Sequence, residues 1–145
     1  MNIDRTGEAG TLVENLARRT GIRLMLQFGS TVVGTCHSHS DVDIAVMFET
    51  GEVPLHLLIE ISEELRELFP GKEIDLAVLN RADSLFLKKI TENCRLLFGK
   101  PEDLAQLRLY VFKRYQDYRR FLALERQFVG GRLAALRADS IARHD

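Results

Sequence analysis

The feature that most constrains the fold is the alternation of short apolar runs with amphipathic helical segments. Apolar spacing of helical type occurs within residues 8–20, 53–71 and roughly 83–93, and again from Pro101 onward. The resulting order, α-β-(turn)-β-α-β-α-β-α, predicts an α/β or α+β domain with a small mixed β-sheet and flanking helices. The runs that we predict to be strands are IRLMLQFG (22–29), DVDIAVMFE (41–49), KEIDLAVLN (72–80) and CRLLFG (94–99).

Composition narrows the class of protein. The 145 residues suit one domain, and the chain is 46% hydrophobic and 28% charged with a net charge of −1. Near-neutral charge argues against a protein that binds duplex nucleic acid mainly by neutralising phosphates. No apolar run approaches the roughly 20 residues of a membrane span, and no hydrophobic segment of signal-peptide type follows the N-terminus. We therefore expect a cytoplasmic protein with no membrane partner, with free thiols at Cys36 and Cys94, and with homo-oligomerisation left open.

The C-terminal part of the chain predicts a long helix from Pro101 to about Val129, which Gly130 and Gly131 should end before a tail of residues 130–145. The apolar residues that recur at steps of three or four are Leu104, Leu107, Val111, Tyr115, Tyr118, Leu122 and Phe128. This stripe either packs on the domain along its length or, since a small sheet cannot cover so long a helix, offers its distal half to a partner.

Three aspartates interrupt the predicted strands. Asp41 and Asp43 are two residues apart, so in a strand both side chains project from the same face. They repel one another, and Asp43 leads directly into an apolar run where unpaired charge is costly. A divalent cation relieves both problems, and Mg²⁺ prefers such oxygen ligands. If the strand that carries Asp75 is a neighbour, the three carboxylates can converge on one metal-dependent phosphoryl-transfer site.

Gly29 and Ser30 follow the first predicted strand. Glycine allows the backbone to approach a phosphate closely, and Ser30 can begin a turn or short helix while offering its hydroxyl and backbone N–H groups. Taken alone, the pair indicates only a turn, and its significance lies in the ten-residue spacing to Asp41.

A cysteine and two histidines lie inside that spacing and suggest an alternative metal. Cys36, His37, His39 and Asp41 carry the ligand atoms of zinc sites. Structural zinc sites usually combine two separated ligand pairs, however, and the chain has no second pair. We therefore interpret Cys36–His39 as spacer over the phosphate site.

The pattern Gly-Ser, ten residues, Asp-x-Asp resembles the signature of the nucleotidyltransferase superfamily that includes DNA polymerase β. With Asp75 as third acid, residues 22 to 122 are similar to the minimal nucleotidyltransferase (MNT) group, the antitoxin half of bacterial HEPN–MNT toxin–antitoxin pairs. The resemblance implies a single nucleotidyltransferase domain over residues 1–145 with its core at about 22–100. It departs at Val33, where the group often has arginine.

The resemblance also implies an activity: Mg²⁺-dependent transfer of AMP from ATP to a hydroxyl, typically a tyrosine of the partner HEPN ribonuclease. It implies that Asp41, Asp43 and Asp75 bind metal, that Asp75 orients or deprotonates the acceptor, and that Gly29 and Ser30 hold the triphosphate. Two alternatives remain: an antitoxin that neutralises by binding alone, its site weakened by Val33, and a transferase acting on a small molecule.

Overall fold

The chain forms a mixed four-stranded β-sheet with helices on both faces, as the sequence predicts. The computed structural model describes residues 5–33 and 41–143. The elements are α1 (Glu8–Thr20), β1 (Ile22–Phe28), α2 (Ser30–Val33), β2 (Val42–Phe48), α3 (Leu55–Leu68), β3 (Ile74–Val78), a 3₁₀ turn (Leu79–Arg81), α4 (Ser84–Glu92), β4 (Cys94–Phe98) and α5 (Pro101–Ala142).

The strand order is β3-β2-β1-β4. β1 is antiparallel to β2 and β4, whereas β2 and β3 are parallel and are joined through α3, since parallel neighbours need a long crossover connection. The register pairs Asp43 with Asp75 and Ile44 with Leu76. The expectation that the two aspartate-bearing strands are neighbours is therefore confirmed.

Two apolar clusters cover the two faces of the sheet. α1 and α3 pack on the face that buries Val42, Ile44 and Val46. α4 and the first turns of α5 pack on the opposite face, against Ala45. Because side chains alternate along a strand, Asp43 lies on the same face as Ala45. One face of β2 therefore packs into the apolar core under α1 and α3, while Asp43 lies on the other face, on which α4 packs.

A side-chain amide ties the end of β3 to the end of β2. Asn80, in the 3₁₀ turn, donates from its Nδ2 to the Phe48 carbonyl at 3.0 Å and accepts from the Phe48 N–H at 2.9 Å. This paired contact satisfies the last backbone groups of β2. It fixes where the chain leaves β3 and therefore where α4 begins.

The end of α5 differs from the prediction. The helix continues to Ala142, so the boundary that we predicted near Val129 is wrong. Gly130 and Gly131 do not have the positive φ of a helix C-cap. A helix-interior glycine costs only about 1 kcal/mol relative to alanine, and the leucines and alanines that follow favour continuation of the helix.

Only the beginning of α5 is covered by the rest of the domain. Leu104, Leu107 and Val111 are buried, whereas Phe128, in the same predicted stripe, is 68% exposed. The alternative in which the whole stripe packs on the domain is therefore wrong, because the sheet and α4 end before the helix does. None of the helices within residues 5–33 and 41–143 is both long and apolar enough to cross a membrane.

Candidate active site

A row of paired residues crosses three strands at one end of the sheet. Phe28 of β1 pairs with Asp43 of β2, and Asp43 pairs with Asp75 of β3. Neighbouring strands lie about 4.8 Å apart, so strand pairing alone brings the two carboxylates side by side. Asp43 is half-buried on an interior strand, and Asp75 is exposed on the edge strand.

The surroundings of Asp43 disfavour the ionised form of its carboxyl group. Burial raises the pKa of Asp43 above its ordinary value, and the negative charges of Asp75 and then Asp41 raise it further. The positive charge of Lys89 acts in the opposite direction. The ionised carboxylate is thus disfavoured unless a cation compensates for it.

Gly29 brings the backbone after β1 directly against this carboxylate. Its φ is +79°, and a Cβ placed on it would overlap the Asp43 Oδ2 atom. A side chain at this position would therefore strain the backbone and force the Asp43 carboxylate to move. The Val32 N–H donates to the Gly29 carbonyl at 3.2 Å and starts the short helix α2, as we predicted for a turn at Ser30.

A buried amide supports the same turn from below. Gln27, on β1, is almost completely buried and donates from its Nε2 to the Thr31 Oγ1 at 3.1 Å. Among the described residues, no donor reaches its Oε1. The contact fixes α2 relative to the sheet, and with it the position of Gly29 and Ser30.

A cavity of about 440 Å³ opens beside the two carboxylates. Phe28 and Phe86 form one wall, with their rings edge to face and their centroids 6.2 Å apart. The lining residues come from β1, β2, β3, the turn before α2, and α4; they are Phe28, Gly29, Ser30, Asp43, Asp75, Ala77, Phe86, Lys89, Glu92 and Asn93. The volume lies in the range of small-molecule sites. Four of the five predicted site residues therefore line one cavity.

The fifth predicted site residue, Asp41, is placed differently. It precedes β2, is exposed, and is not among the residues that line the cavity, although its charge still acts on Asp43. Within residues 5–33 and 41–143, no group of three or more His, Cys, Asp or Glu side chains is arranged to hold a metal ion. The donor set that does fit Mg²⁺ is the pair Asp43 and Asp75, whose repulsion a divalent cation would relieve. Cys36, His37 and His39 lie outside the described residues, so the zinc alternative stays untested.

Lys89 is the cavity residue that sequence analysis missed. It lies on α4 and, among the described lining residues, is the only Lys or Arg. Its neighbour Lys88 instead pairs with Glu92 and lies over the Tyr115 ring. The sequence shows only two adjacent lysines on an amphipathic helix, and the orientation of α4 decides which of them reaches the site.

A larger opening of about 720 Å³ lies elsewhere, between α1 and the start of α5. Its only described aspartate, Asp103, already pairs with Arg23 at 2.9 Å, and this ion pair lowers the pKa of Asp103. The other acid among its described lining residues is Glu49, whose charge likewise acts on Arg23. We therefore place the candidate active site at the smaller cavity.

Comparison with known proteins defines the class. The sequence profile described as Polymerase beta, Nucleotidyltransferase matches residues 11–103, more than half of the chain. The chain therefore belongs to the polymerase beta nucleotidyltransferase family. No sequence among curated proteins matches it significantly.

Solved structures narrow the comparison further. A chain of a toxin–antitoxin complex crystallised with AMP-PNP is 25% identical, with a TM-score of 0.65 over 82% of this chain and 93% of that one. A complex of a tri-AMPylated HEPN toxin with its MNT antitoxin from Shewanella oneidensis is similar at 22% identity and a TM-score of 0.59, covering 82% and 90%. An MntA–HepT toxin–antitoxin complex matches at 21% and 0.59, covering 82% and 91%. The latter two likenesses concern the fold.

Proposed function

We propose that the chain is the antitoxin of a toxin–antitoxin pair and that it transfers AMP from ATP to a tyrosine hydroxyl of a HEPN-type toxin. One observation carries this proposal: Asp43, which lies directly against Gly29, is paired with Asp75 across parallel strands, and all three residues line one nucleotide-sized cavity. The toxin–antitoxin complexes among the similar structures, with AMP-PNP in one and an AMPylated toxin in another, support it.

We assign each site residue a role from its position in the cavity. Gly29 and Ser30 hold the triphosphate, since a backbone without a side chain approaches phosphate closely at residue 29. Asp43 and Asp75, with Asp41 at the entrance of β2, are the ligands for Mg²⁺, which when bound neutralises charge on the triphosphate. The half-buried position of Asp43 strengthens these interactions, because charges act more strongly away from bulk water.

The transfer itself requires an in-line displacement at the α-phosphorus of ATP. The acceptor hydroxyl oxygen forms a bond to this phosphorus while the bond from phosphorus to the bridging oxygen of the leaving group breaks, and pyrophosphate leaves. Asp75 is exposed at the sheet edge, where an acceptor can approach it. We propose that its carboxylate orients the hydroxyl and accepts its proton.

The test uses the chain together with the HEPN protein expected in the neighbouring reading frame, which should be a small helical protein carrying Arg-x4-6-His. With α-labelled ATP and Mg²⁺, the label is expected on the toxin and should be lost in Asp43→Asn and Asp75→Asn. Both variants are expected to keep toxin binding, because each replaces a carboxylate by an amide of nearly the same shape.

Two outcomes would replace the proposal with an alternative. If no label reaches the toxin and the Asp43→Asn variant still neutralises it, the chain acts as an antitoxin by binding alone. If label instead appears on a small hydroxyl compound such as an aminoglycoside, the chain is a small-molecule transferase.

A further inference from the structure

The part of α5 beyond Tyr118 carries a group of large apolar side chains, which we call the distal band. Its members lie beyond Tyr118 and recur at helical spacing; they are Phe121, Leu122, Leu124, Phe128, Val129, Leu133 and Leu136. Leu133 and Leu136 are 52% and 60% exposed, although both continue the face that is buried at Leu104 and Val111. So many large apolar side chains on one helix mark a protein-binding surface.

The charge of this segment indicates the chemistry of a partner that could bind it. Between Lys113 and Arg143 the helix carries eight Lys or Arg and three Asp or Glu, whereas residues 1–112 carry twelve and seventeen. A basic rim around an apolar stripe matches an apolar groove with an acidic border. Large apolar anchors at steps of three, four and seven fit a groove that accepts a helix, rather than a nucleic acid backbone.

The position of α5 relative to the cavity relates this surface to the chemistry. α5 packs on α4, where Lys88 lies over the Tyr115 ring, and the adjacent Lys89 lines the cavity. A cavity of about 440 Å³ can enclose a nucleotide but leaves little wall to recognise a protein acceptor. Recognition must then come from a surface outside it.

We propose that the distal band docks in an apolar, acid-bordered groove of the toxin and holds that protein near the cavity. This inference rests on the proposed function in that it takes the toxin as the occupant. Docking through α5 makes the later transfer intramolecular, which raises the effective concentration of the acceptor hydroxyl without any new contact in the cavity.

The test compares two double variants in the same helical turns. Leu133→Asp with Leu136→Asp disrupts the band, and Ala134→Asp with Ala138→Asp adds the same charge on another side of the helix. Toxin affinity, measured by calorimetry, is expected to fall at least about thirtyfold in the first and less than about threefold in the second. Stabilisation by Mg²⁺ and ATP should be unchanged in both.

Three results would overturn this inference: unchanged toxin affinity in the leucine variant, an equal loss in both variants, or a homodimer in light scattering that the leucine variant dissociates while toxin affinity remains. The last result would make a second copy of this chain the occupant. If the wild type binds the toxin but transfers no AMP, and the leucine variant loses toxin binding, the proposed interface stands and the transferase proposal fails.

A separate observation concerns Lys89. Its side chain lines the cavity with Asp43, Asp75 and Ser30. Glu92, the acid one turn further on, pairs with Lys88, and within the described part of the chain no carboxylate lies within ion-pair distance of Lys89. The cavity therefore has one described cation that is not engaged in an ion pair.

The geometry points to Lys89 as a binding residue for the ATP triphosphate. This deepens the proposed function at the same site. An ammonium group on a flexible stem suits a phosphate contact, and Lys89 of α4 lines the same cavity as Gly29 and Ser30.

Lys88 offers a matched control for this role. Lys89→Ala is expected to weaken ATP binding in Mg²⁺ about tenfold, to change AMP binding less than about twofold, and to be partly rescued by Lys89→Arg. Lys88→Ala should bind both nucleotides like the wild type. Wild-type ATP affinity in Lys89→Ala, or an equal loss in Lys88→Ala, would refute the role of Lys89 alone, whereas absence of ATP binding by the wild type would refute the proposed function as well.

Discussion

At the scale of single residues, the candidate site depends on one close approach. Gly29 and Asp43 come from different strands, yet a Cβ on residue 29 would occupy the space of the Asp43 carboxylate. The glycine and the acid are fourteen positions apart in the sequence, but they form one structural unit. A change at either residue therefore acts on the other.

The first prediction compares two glycines with similar backbone conformations. Gly21 and Gly29 have φ of +74° and +79°, but a Cβ meets nothing within 4 Å at Gly21. Gly21→Ala should cost about 1 kcal/mol of unfolding free energy and keep ATP binding. Gly29→Ala should cost more, about 2–3 kcal/mol, and abolish ATP binding. Thermal unfolding and calorimetry check this, and equal effects of the two substitutions would contradict it.

The second prediction concerns the charge of Asp43. Burial, Asp75 and Asp41 raise the pKa of Asp43 in the folded state above 3.8. Its contribution to stability is therefore fully present below the unfolded pKa and is lost as pH rises through the folded pKa. At neutral pH and without metal, Asp43→Asn should thus raise the unfolding free energy, by about 0.5–1 kcal/mol because solvent still screens a half-buried group.

Chemical denaturation between pH 3 and 8 measures this effect. The variant should gain most above the folded pKa of Asp43 and nothing at the acid end. Asp117→Asn, on the exposed part of α5, is the control and should show no such pH-dependent gain. A loss of stability in Asp43→Asn at neutral pH would show that the carboxylate is compensated within the protein itself.

At the scale of elements, α5 is the part of the chain whose role changes most along its length. Its first turns complete the core with Leu104, Leu107 and Val111. Tyr115 is still half-buried under Lys88, but beyond Tyr118 the same helical periodicity continues on a helix whose described residues are exposed except for the half-buried Leu122. Packing therefore explains why the helix starts where it does, and helix propensity explains why it continues past Gly130 and Gly131.

The third prediction tests that continuation. Gly130→Ala with Gly131→Ala should strengthen the helix by up to about 1 kcal/mol per substitution. Amide hydrogen exchange at residues 132–142 should slow, while exchange in the sheet stays unchanged. Gly51→Ala, in a turn where a Cβ meets nothing within 4 Å, serves as control. Unchanged exchange at residues 132–142 would mean that the helix ends near Val129 in solution.

At the scale of the whole molecule, the sheet and the helices place two separate surfaces in one chain. Asp43, Asp75 and Lys89 lie around the cavity, and the distal band lies on the far part of α5. α4 connects them, since one lysine of α4 lines the cavity and the next contacts α5. Nucleotide binding and partner binding should consequently be separable by mutation.

The fourth prediction uses this separation. Mg²⁺ and ATP together should stabilise the native chain by about 2.7 kcal/mol at a hundredfold excess over the dissociation constant, which corresponds to a rise in Tm of about 5–10 °C. The rise should disappear in Asp43→Asn and be reduced in Asp41→Ala, and it should persist in the distal-band variant. No change in Tm for the wild type would indicate a site that does not bind nucleotide.

The sequence by itself determined the secondary-structure elements and the family, and it predicted the residues of the site. Period-two and period-3.6 patterns are local properties, so all four strands and the start of each long helix were predictable, and the spacing of Gly29–Ser30 to the acids was a linear pattern that identified the family. The end of α5 was not predictable from its glycines, because a modest local cost does not decide against continued helix propensity.

Only the tertiary structure decided which residues meet. The pairing of Asp43 with Asp75, the placement of Asp41 outside the cavity lining and the choice of Lys89 over Lys88 depend on strand register and on the rotation of α4. The exposure of the distal band depends on where the sheet ends. These are contacts between residues distant in the chain, and no local pattern carries the free energy of packing that selects them.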